Sequence, residues 1–304
     1  MAVEVWAVEI RRLLIIAAAA LAPLACAQAN TMKLLHAERS LYREVLVYDT
    51  GPVRCMCFTR HCRIGRQSCM DMRQPNKIVM NYPQMMLGAL YVQPAPRTVL
   101  IIGLGGGTLP RALAQILPQT QMEVVEIDPA VVRVAKRYFD FDSGGRISVA
   151  ETDGRVYVKR ALREGRRYDL IMLDAFDHEY IPEHLLTEEF LREVQSLLAP
   201  GGVLAANTFS SSRLYDHESV TYQSVFSEFF NLKRENRVII AVNGSLPGAA
   251  VLQANSGRFD AAFRTFGFDT ARILPLFSRE RDWNAKARSL TDQYSPANLL
   301  NLNR

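Results

Sequence analysis

The chain has 304 residues, of which 49% are hydrophobic and 22% charged, and this composition excludes an intrinsically disordered or collagen-like protein. Thirty-six Lys and Arg residues against 31 Asp and Glu residues leave a formal net charge of +5. The basic residues are spread along the sequence without the clusters that bind phosphates, so we expect no nucleic-acid partner.

The first 31 residues have the layout of a secretory signal. Arg11 and Arg12 precede an apolar run over residues 13–25, and alanines flank Cys26. The run is shorter than a helix that spans a membrane. Against this interpretation, two glutamates stand before the run, and Met32 offers an alternative start. Residues 1–31 are therefore either a signal-like segment or a wrongly assigned N-terminal extension.

Four cysteines lie close together, at Cys55, Cys57, Cys62 and Cys69. In an exported protein they would suggest two disulfides, and in a cytosolic one a metal site or four reduced thiols. Their spacing matches no zinc-binding pattern, because zinc knuckles place two cysteines two or three residues apart. We therefore expect free thiols on strands and no metal site.

The N-terminal part of the chain has a short, alternating β pattern over residues 34–80. This pattern predicts a small antiparallel sheet. Residues 82–91 are then apolar at helical spacing, and Pro94 and Pro96 form a short linker. We therefore predict a first, small β domain over residues 32–93.

From residue 97 to residue 304 apolar strands alternate with helices, which predicts an α/β, Rossmann-like domain with a mostly parallel sheet and helices on both faces. The predicted strands cover residues 99–103, 123–128, 147–153, 168–174 and 203–208, and the predicted helices residues 108–117, 129–139, 156–164 and 187–198. A helix at 216–230 and an antiparallel pair at 238–242 and 249–254 are predicted to close the domain.

Candidate ligand-binding residues follow the strands, because ligands of open α/β sheets bind beyond the carboxyl ends of the strands. Gly103 and Gly105 lie in a glycine loop that allows the backbone to approach a ligand, although a tight turn also favours glycine. Glu126 ends the second strand and is placed to accept hydrogen bonds from both hydroxyls of a ribose. Asp128 is predicted to cap the next helix.

Three more aspartates end the third and fourth strands. Asp153, followed by Gly154, is suited to an adenine amino group, although a plain turn explains the pair equally well. Asp174 and Asp177 follow an apolar strand, where burying two carboxylates is costly unless a cationic or proton-donating ligand compensates them. The alternative is that they cap the following segment.

The chain resembles the spermidine synthase family of polyamine aminopropyltransferases in VLIIGLGGGTL, VEIDPAVVRVAKRYF, the strand ending at Asp153, YDLIMLDAFD with Pro182, and LLTEEFLREVQSLLAPGGVL. The resemblance implies a methyltransferase-type Rossmann-like sheet with a small N-terminal β domain. It also implies a transferase of polyamine and spermidine biosynthesis. Such an enzyme moves an aminopropyl group from decarboxylated S-adenosylmethionine, a co-substrate, to putrescine, and yields spermidine and methylthioadenosine.

The resemblance also implies roles for individual residues at the nucleoside and at the amine. These are donor binding by Gly103 and Gly105, ribose binding by Glu126, adenine binding by Asp153 and Gly154, a nucleoside pocket at Pro182, proton acceptance by Asp174, and amine binding by Asp177 and Tyr82. The chemistry is consistent, because an amine must lose a proton to become a nucleophile and a carboxylate can accept it.

Two departures from the family concern the charged ends of the substrates. The glycine loop lacks the aspartate that holds the donor's ammonium group, and Arg43 stands where the family has glutamine. Because like charges repel, Arg43 opposes a diamine. We therefore predict intact binding of the donor nucleoside and an altered recognition of the acceptor.

Two other functions fit the same residues. An S-adenosylmethionine-dependent methyltransferase would use the same nucleoside site; the missing loop aspartate favours it, whereas the pair Asp174 and Asp177 favours the aminopropyltransferase. A non-catalytic relative that binds nucleoside or polyamine is the third hypothesis. A dinucleotide-dependent dehydrogenase is disfavoured, because the loop lacks the usual glycine spacing.

The donor is made in the cytosol, so we predict a cytoplasmic protein, with export or tethering through residues 13–27 as the alternative. The expected partners are small molecules, the amine and the nucleoside donor, and a second copy of the chain in a homodimer.

Overall fold

The computed structural model describes residues 31–60, 62, 65–176, 182–208 and 213–301. The predicted signal-like segment lies, up to residue 30, outside the described residues. Lys33–Arg304 form one compact unit, which includes the predicted linker at Pro94 and Pro96. Within the described ranges, no helix has the length and apolar character needed to cross a membrane.

The predicted small N-terminal sheet is present, and it has four strands in the order β1-β2-β3-β4. They are β1 (Met32–Arg39), β2 (Glu44–Thr50), β3 (Val53–Cys57) and β4 (Arg66–Asp71). Alternate residues of a strand point to opposite faces, so Val45 and Val47 pack on the helix that begins at Pro129, while Leu46 packs on the cysteines. This packing fixes the small sheet against the larger domain.

The expectation of free thiols is wrong, because the structure pairs all four cysteines, Cys55 with Cys69 and Cys57 with Cys62. Cys55 and Cys69 are direct partners in the antiparallel ladder of β3 and β4, with their Cα atoms 4.1 Å apart. Facing residues of an antiparallel pair come this close. The pairing thus depends on strand register, which the spacing of the cysteines does not reveal.

The larger sheet confirms the predicted α/β fold. Its strands are β5 (Thr98–Ile102), β6 (Gln121–Glu126), β7 (Ile147–Glu151), β8 (Tyr168–Leu173), β9 (Leu198–Thr208), β10 (Phe229–Lys233) and β11 (Arg237–Val242). Their order is β10-β11-β9-β8-β5-β6-β7. The five strands β5 to β9 run parallel to one another. At the other side of β9, β11 and β10 add two antiparallel strands.

Helices cover both faces of this sheet. They are α1 (Asn81–Leu87), α2 (Ala89–Val92), α3 (Thr108–Ile116), α4 (Pro129–Tyr138), α5 (Gly154–Arg163), α6 (Glu188–Leu197), α7 (Leu214–Phe226), α8 (Ala249–Gly257), α9 (Asp260–Thr265), α10 (Thr270–Ile273) and α11 (Ala297–Asn301). Successive residues of β5 enter different cores: Ile101 belongs to one hydrophobic cluster, and Leu100 and Ile102 belong to the other. Burial on both faces explains the uninterrupted apolar strands.

Two predictions near the C-terminus are wrong. Residues 249–254, predicted as a strand, form the first part of helix α8, because the alanine-rich sequence has a high helix propensity. The predicted helix at 216–230 ends at Phe226, where Ser227 adopts a left-handed backbone with φ of 63°. The aromatic residues Phe229 and Phe230 then start β10, which pairs antiparallel with β11 in place of the predicted strand at 249–254.

Candidate active site

A cavity of about 260 Å³ opens at the carboxyl ends of β5, β6 and β8. The structure brings nine of the residues singled out in the sequence to its wall: Arg43, Tyr82, Gly103, Gly105, Glu126, Asp153, Gly154, Asp174 and Pro182. The tenth, Asp177, lies outside the described residues. The part of the chain that is described holds no group of three His, Cys, Asp or Glu side chains placed to bind a metal.

The glycine loop is shaped by its protein neighbours as well as by the cavity. A Cβ atom on Gly103 would lie 2.1 Å from the carbonyl oxygen of Asp174, and one on Gly105 would lie 2.7 Å from Oγ of Ser68. The same Ser68 hydroxyl accepts a hydrogen bond from the Gly106 amide over 2.8 Å. Since both glycines also have positive φ angles, a side chain at either position would be strained.

Glu126 ends β6 at the floor of the cavity. Its two carboxylate oxygens accept hydrogen bonds from the amides of Leu104 and Asp128, each over 3.0 Å. Burial raises the pKa of the Glu126 carboxyl, whereas these amides and the charge of Arg43 lower it. Backbone donors therefore fix this carboxylate at the cavity floor. Asp128 itself caps α4 by accepting from the amide of Ala130, as predicted.

Asp153 begins helix α5 as its N-cap. Its Oδ1 atom accepts from the amides of Arg155 and Val156, both over 2.9 Å, and its Oδ2 atom lies 2.8 Å from Nε2 of His184. The His184 contact is the main cause that lowers the pKa of the Asp153 carboxyl. At Gly154, an added Cβ atom would stand 2.7 Å from Cγ2 of Ile102, so close packing on β5 requires glycine there.

Asp174 follows β8 and lies half-buried at the cavity wall. Asn207 donates from Nδ2 to its Oδ1 over 3.0 Å, and the Tyr82 phenol lines the same cavity. Burial raises the pKa of Asp174 to about 7, with a further increase from the nearby charge of Glu126, while the bond from Asn207 and the nearby Tyr82 phenol lower it. A carboxyl that titrates near neutral pH can accept and release a proton under physiological conditions.

The phenol of Tyr82 is held in place at the cavity wall. Its hydroxyl lies 3.3 Å from the carbonyl oxygen of Gln67 on β4, and burial raises the pKa of the phenol well above its usual value. Tyr82 therefore remains a hydrogen-bond donor. Arg43 lies on the same wall of the cavity, with its guanidinium 4.2 Å from the ring centroid of Phe58.

Three residues of the site were missed in the sequence. Asn207 stands at the end of β9, and the rule that strand ends carry ligand-binding side chains would have found it. Asn207 contacts Asp174, whereas Gln67 and His184 line the cavity themselves, and neither of these two follows a strand of the large sheet. No local signal in the sequence distinguishes these two from ordinary polar surface residues.

Comparison with known proteins identifies related chains. A family model described as the spermine/spermidine synthase domain matches residues 80–240. A polyamine aminopropyltransferase of Vibrio vulnificus is 46% identical over 272 residues, which cover 88% of this chain and 91% of that protein. A polyamine aminopropyltransferase of Neisseria meningitidis serogroup A is 29% identical over 260 residues, or 83% of this chain and 95% of that protein.

Solved structures share the fold. A probable spermidine synthase from Corynebacterium glutamicum superimposes with a TM-score of 0.60 at 18% identity and covers 83% of this chain and 98% of its own. Human methyltransferase-like protein 13, solved with SAH, reaches a TM-score of 0.53 at 23% identity, over 68% of this chain and 96% of its own. At these identities the likeness concerns the architecture alone.

Proposed function

Because the chain belongs to the spermine/spermidine synthase family, we propose that it moves an aminopropyl group from decarboxylated S-adenosylmethionine to putrescine. It is a transferase of polyamine biosynthesis, and its products are spermidine and methylthioadenosine. The donor is a co-substrate that leaves as product in each turnover. The observation that carries this function is the position of the Asp174 carboxylate in the same cavity as Glu126 and Asp153, and its raised pKa suits a proton acceptor at neutral pH.

In the proposed reaction, an amine nitrogen of putrescine attacks the methylene carbon next to the donor's sulfonium. A carbon–nitrogen bond forms while the carbon–sulfur bond breaks, and its electron pair leaves with sulfur as a neutral thioether. Before the attack, the ammonium group of putrescine loses a proton to the Asp174 carboxylate, so the attacking nitrogen is a neutral amine. Asn207 holds that carboxylate, and Tyr82, together with Asp177, is proposed to bind the amine.

The donor's nucleoside is proposed to bind at the other end of the cavity, which we call the nucleoside end: Glu126, Asp153 and Gly154. Glu126 is proposed to accept hydrogen bonds from the ribose hydroxyls, and Asp153 is proposed to accept one from the adenine amino group. Gly103 and Gly105 in the loop and Pro182 on the wall complete the contact surface. We call the opposite side, with Asp174, Tyr82 and Asn207, the amine end.

The experiment that tests this function is a product assay. The purified chain is incubated with putrescine and decarboxylated S-adenosylmethionine, and we expect equimolar spermidine and methylthioadenosine. The same chain given S-adenosylmethionine in place of the decarboxylated donor is expected to form no methylated product. Absence of spermidine, with turnover of S-adenosylmethionine, would reject the proposal.

A second candidate function, S-adenosylmethionine-dependent methyl transfer, is favoured by one observation. Arg43 places a guanidinium on the wall beside a glycine loop that contains no carboxylate. A guanidinium suits the carboxylate of S-adenosylmethionine, whereas the decarboxylated donor has no such group. Binding of the two donors by calorimetry separates the functions, because the methyltransferase would prefer the donor that retains its carboxylate.

The compartment is proposed from the cysteines and the donor together. The site of donor synthesis supports the cytoplasm, but two disulfides support the exported alternative, because cytosolic thiols are kept reduced. We therefore favour an oxidising compartment. Mass spectrometry of the natural N-terminus tests it: a chain beginning at Gln28 or Asn30 shows export, and a chain beginning at Met32 restores the cytoplasmic prediction.

A homodimer is also proposed. Strand β1 lies at an edge of the small sheet, and it exposes Leu34, whose surface is 49% accessible. An exposed edge strand with apolar side chains favours pairing with another chain. Light scattering is expected to give twice the 34.2 kDa mass of the chain, and a mass of one chain would reject the dimer.

A further inference from the structure

The carboxylate proposed to read the adenine base already has a side-chain partner. Oδ1 of Asp153 is used by the two amides at the start of α5, which leaves Oδ2 as the oxygen available to a ligand. Nε2 of His184 lies 2.8 Å from that oxygen, and the His184 side chain lines the same cavity. Since an ionised carboxylate can only accept, Nε2 is the donor in this bond.

The backbone that carries His184 is anchored. Leu185 and Leu186 are buried, and the Glu183 carbonyl and carboxylate accept hydrogen bonds from Ser295 and Asn298, each over 3.1 Å. These bonds tie the short helical turn at Glu183–Leu185 to the C-terminal segment. Displacement of the backbone would therefore break several contacts at once.

Arg155 strengthens this anchor from the other side. It is buried and forms bidentate pairs with Asp292, at 2.6 and 2.9 Å, and with Glu193, at 3.1 and 3.2 Å. Its guanidinium also reaches the carbonyl oxygen of His184 over 3.4 Å. The His184 side chain, by contrast, is 45% exposed. The imidazole therefore lies partly in solvent, with its bond to Asp153 as its side-chain contact in the cavity, while its backbone is anchored.

We infer that His184 is an exchangeable plug of the nucleoside end, which occupies Oδ2 of Asp153 when no nucleoside is bound and yields it to the amino group of the incoming base. This inference rests on the proposed function, because it takes Asp153 as the acceptor for adenine. The plug lowers the affinity for every nucleoside that needs Oδ2, and only a base with a donor at that position recovers the lost bond. His184 thus lowers the preference of the site for a base that carries the amino group, because its bond to Oδ2 must break before that oxygen can accept from the base.

The test is calorimetry with two ligands. Methylthioadenosine is titrated into the parent chain and into His184→Ala, and we expect the variant to bind about 3- to 10-fold more tightly, the range of one net hydrogen bond. The second ligand is the analogue with hydrogen in place of the 6-amino group. It does not need Oδ2, so both proteins are expected to bind it equally. His217→Ala, a histidine whose ring contacts the Arg288 carbonyl away from the cavity, is the matched control.

The outcomes separate the inference from the function beneath it. Equal or weaker binding of methylthioadenosine by His184→Ala overturns the plug while leaving the nucleoside site intact. A gain for both ligands overturns it too, because the imidazole would then act through its bulk rather than through Asp153. If methylthioadenosine binds to neither protein, the proposed function fails and the inference fails with it.

Discussion

At the nucleoside end of the cavity, backbone amides hold the carboxylates, whereas at the amine end Asp174 is held by a side chain from a distant part of the chain. Glu126 accepts from two amides, and Asp153 caps a helix. Asp174 instead depends on Asn207 from β9, and the Tyr82 phenol from α1, beside the small sheet, lines the same end. Carboxylates that are held by backbone amides keep their positions when neighbouring side chains are substituted. A carboxylate that is held by side chains loses a contact with each substitution of a partner residue.

This difference matches where the chain departs from its family. The residues proposed for the nucleoside are all present, and the departures, Arg43 and the loop without an aspartate, concern the charged groups of donor and acceptor. We therefore expect substitutions at the amine end to alter rate and pH dependence, and substitutions at the nucleoside end to alter affinity. Four predictions test this separation.

The largest effect is expected at Asp174. Asp174→Asn removes the proposed proton acceptor, and general-base assistance contributes about 10²- to 10⁴-fold to a rate, so turnover of putrescine should fall by that factor. The affinity for methylthioadenosine, measured by calorimetry, should remain within about twofold, since Asp174 belongs to the amine end. Asp142→Asn, an exposed carboxylate outside the cavity, serves as control. If Asp174→Asn turns over putrescine at nearly the parental rate, Asp174 is not the proton acceptor.

Glu126→Gln should have the complementary effect. Loss of a charged hydrogen-bond partner weakens binding by about 1–3 kcal/mol, so calorimetry should show much weaker binding of methylthioadenosine. Once the donor is saturating, kcat should stay close to that of the parent. If the variant binds methylthioadenosine as tightly as the parent, Glu126 is not the ribose ligand.

The pH dependence of turnover should report on Asp174. Because burial raises its pKa to about 7, the carboxyl is protonated below that pH and cannot accept a proton. We expect kcat to fall about tenfold for each unit of pH below the inflection and to level off above it. Tyr82→Phe removes a hydroxyl that lowers this pKa, so the inflection should move to higher pH. A profile that is identical in both proteins would show that Asp174 does not control it.

The smallest effect is expected at Arg43. Removing its charge in Arg43→Gln relieves repulsion of a cationic acceptor that is worth about 1 kcal/mol in a solvated site, so KM for putrescine should fall several-fold. Arg43→Lys retains the charge and should leave KM unchanged. If Arg43→Gln instead weakens the binding of S-adenosylmethionine and leaves KM for putrescine unaltered, the residue serves the methyltransferase function.

Much of the cavity could be predicted from strand ends alone. Parallel strands place their carboxyl ends at one edge of the sheet, so Glu126, Asp153 and Asp174 share a cavity although 48 residues separate the first from the last. The glycine loop could also be predicted, but the contacts that require glycine at these positions could not. Gly103 and Gly105 are required by contacts with Asp174 and Ser68, which come from other parts of the chain.

The sequence by itself determined the α/β class, the succession of strands and helices along the chain and the carboxylates at the strand ends, because apolar periodicity and local turns are properties of neighbouring residues. Only the tertiary structure decided the pairing of the cysteines, the partner of β11, and the contacts of Asp174 with Asn207 and of Asp153 with His184. Each of these depends on the register of strands or on the packing of segments far apart in the chain. Such contacts form when distant segments bury their apolar faces together, and no short stretch of sequence records where those faces meet.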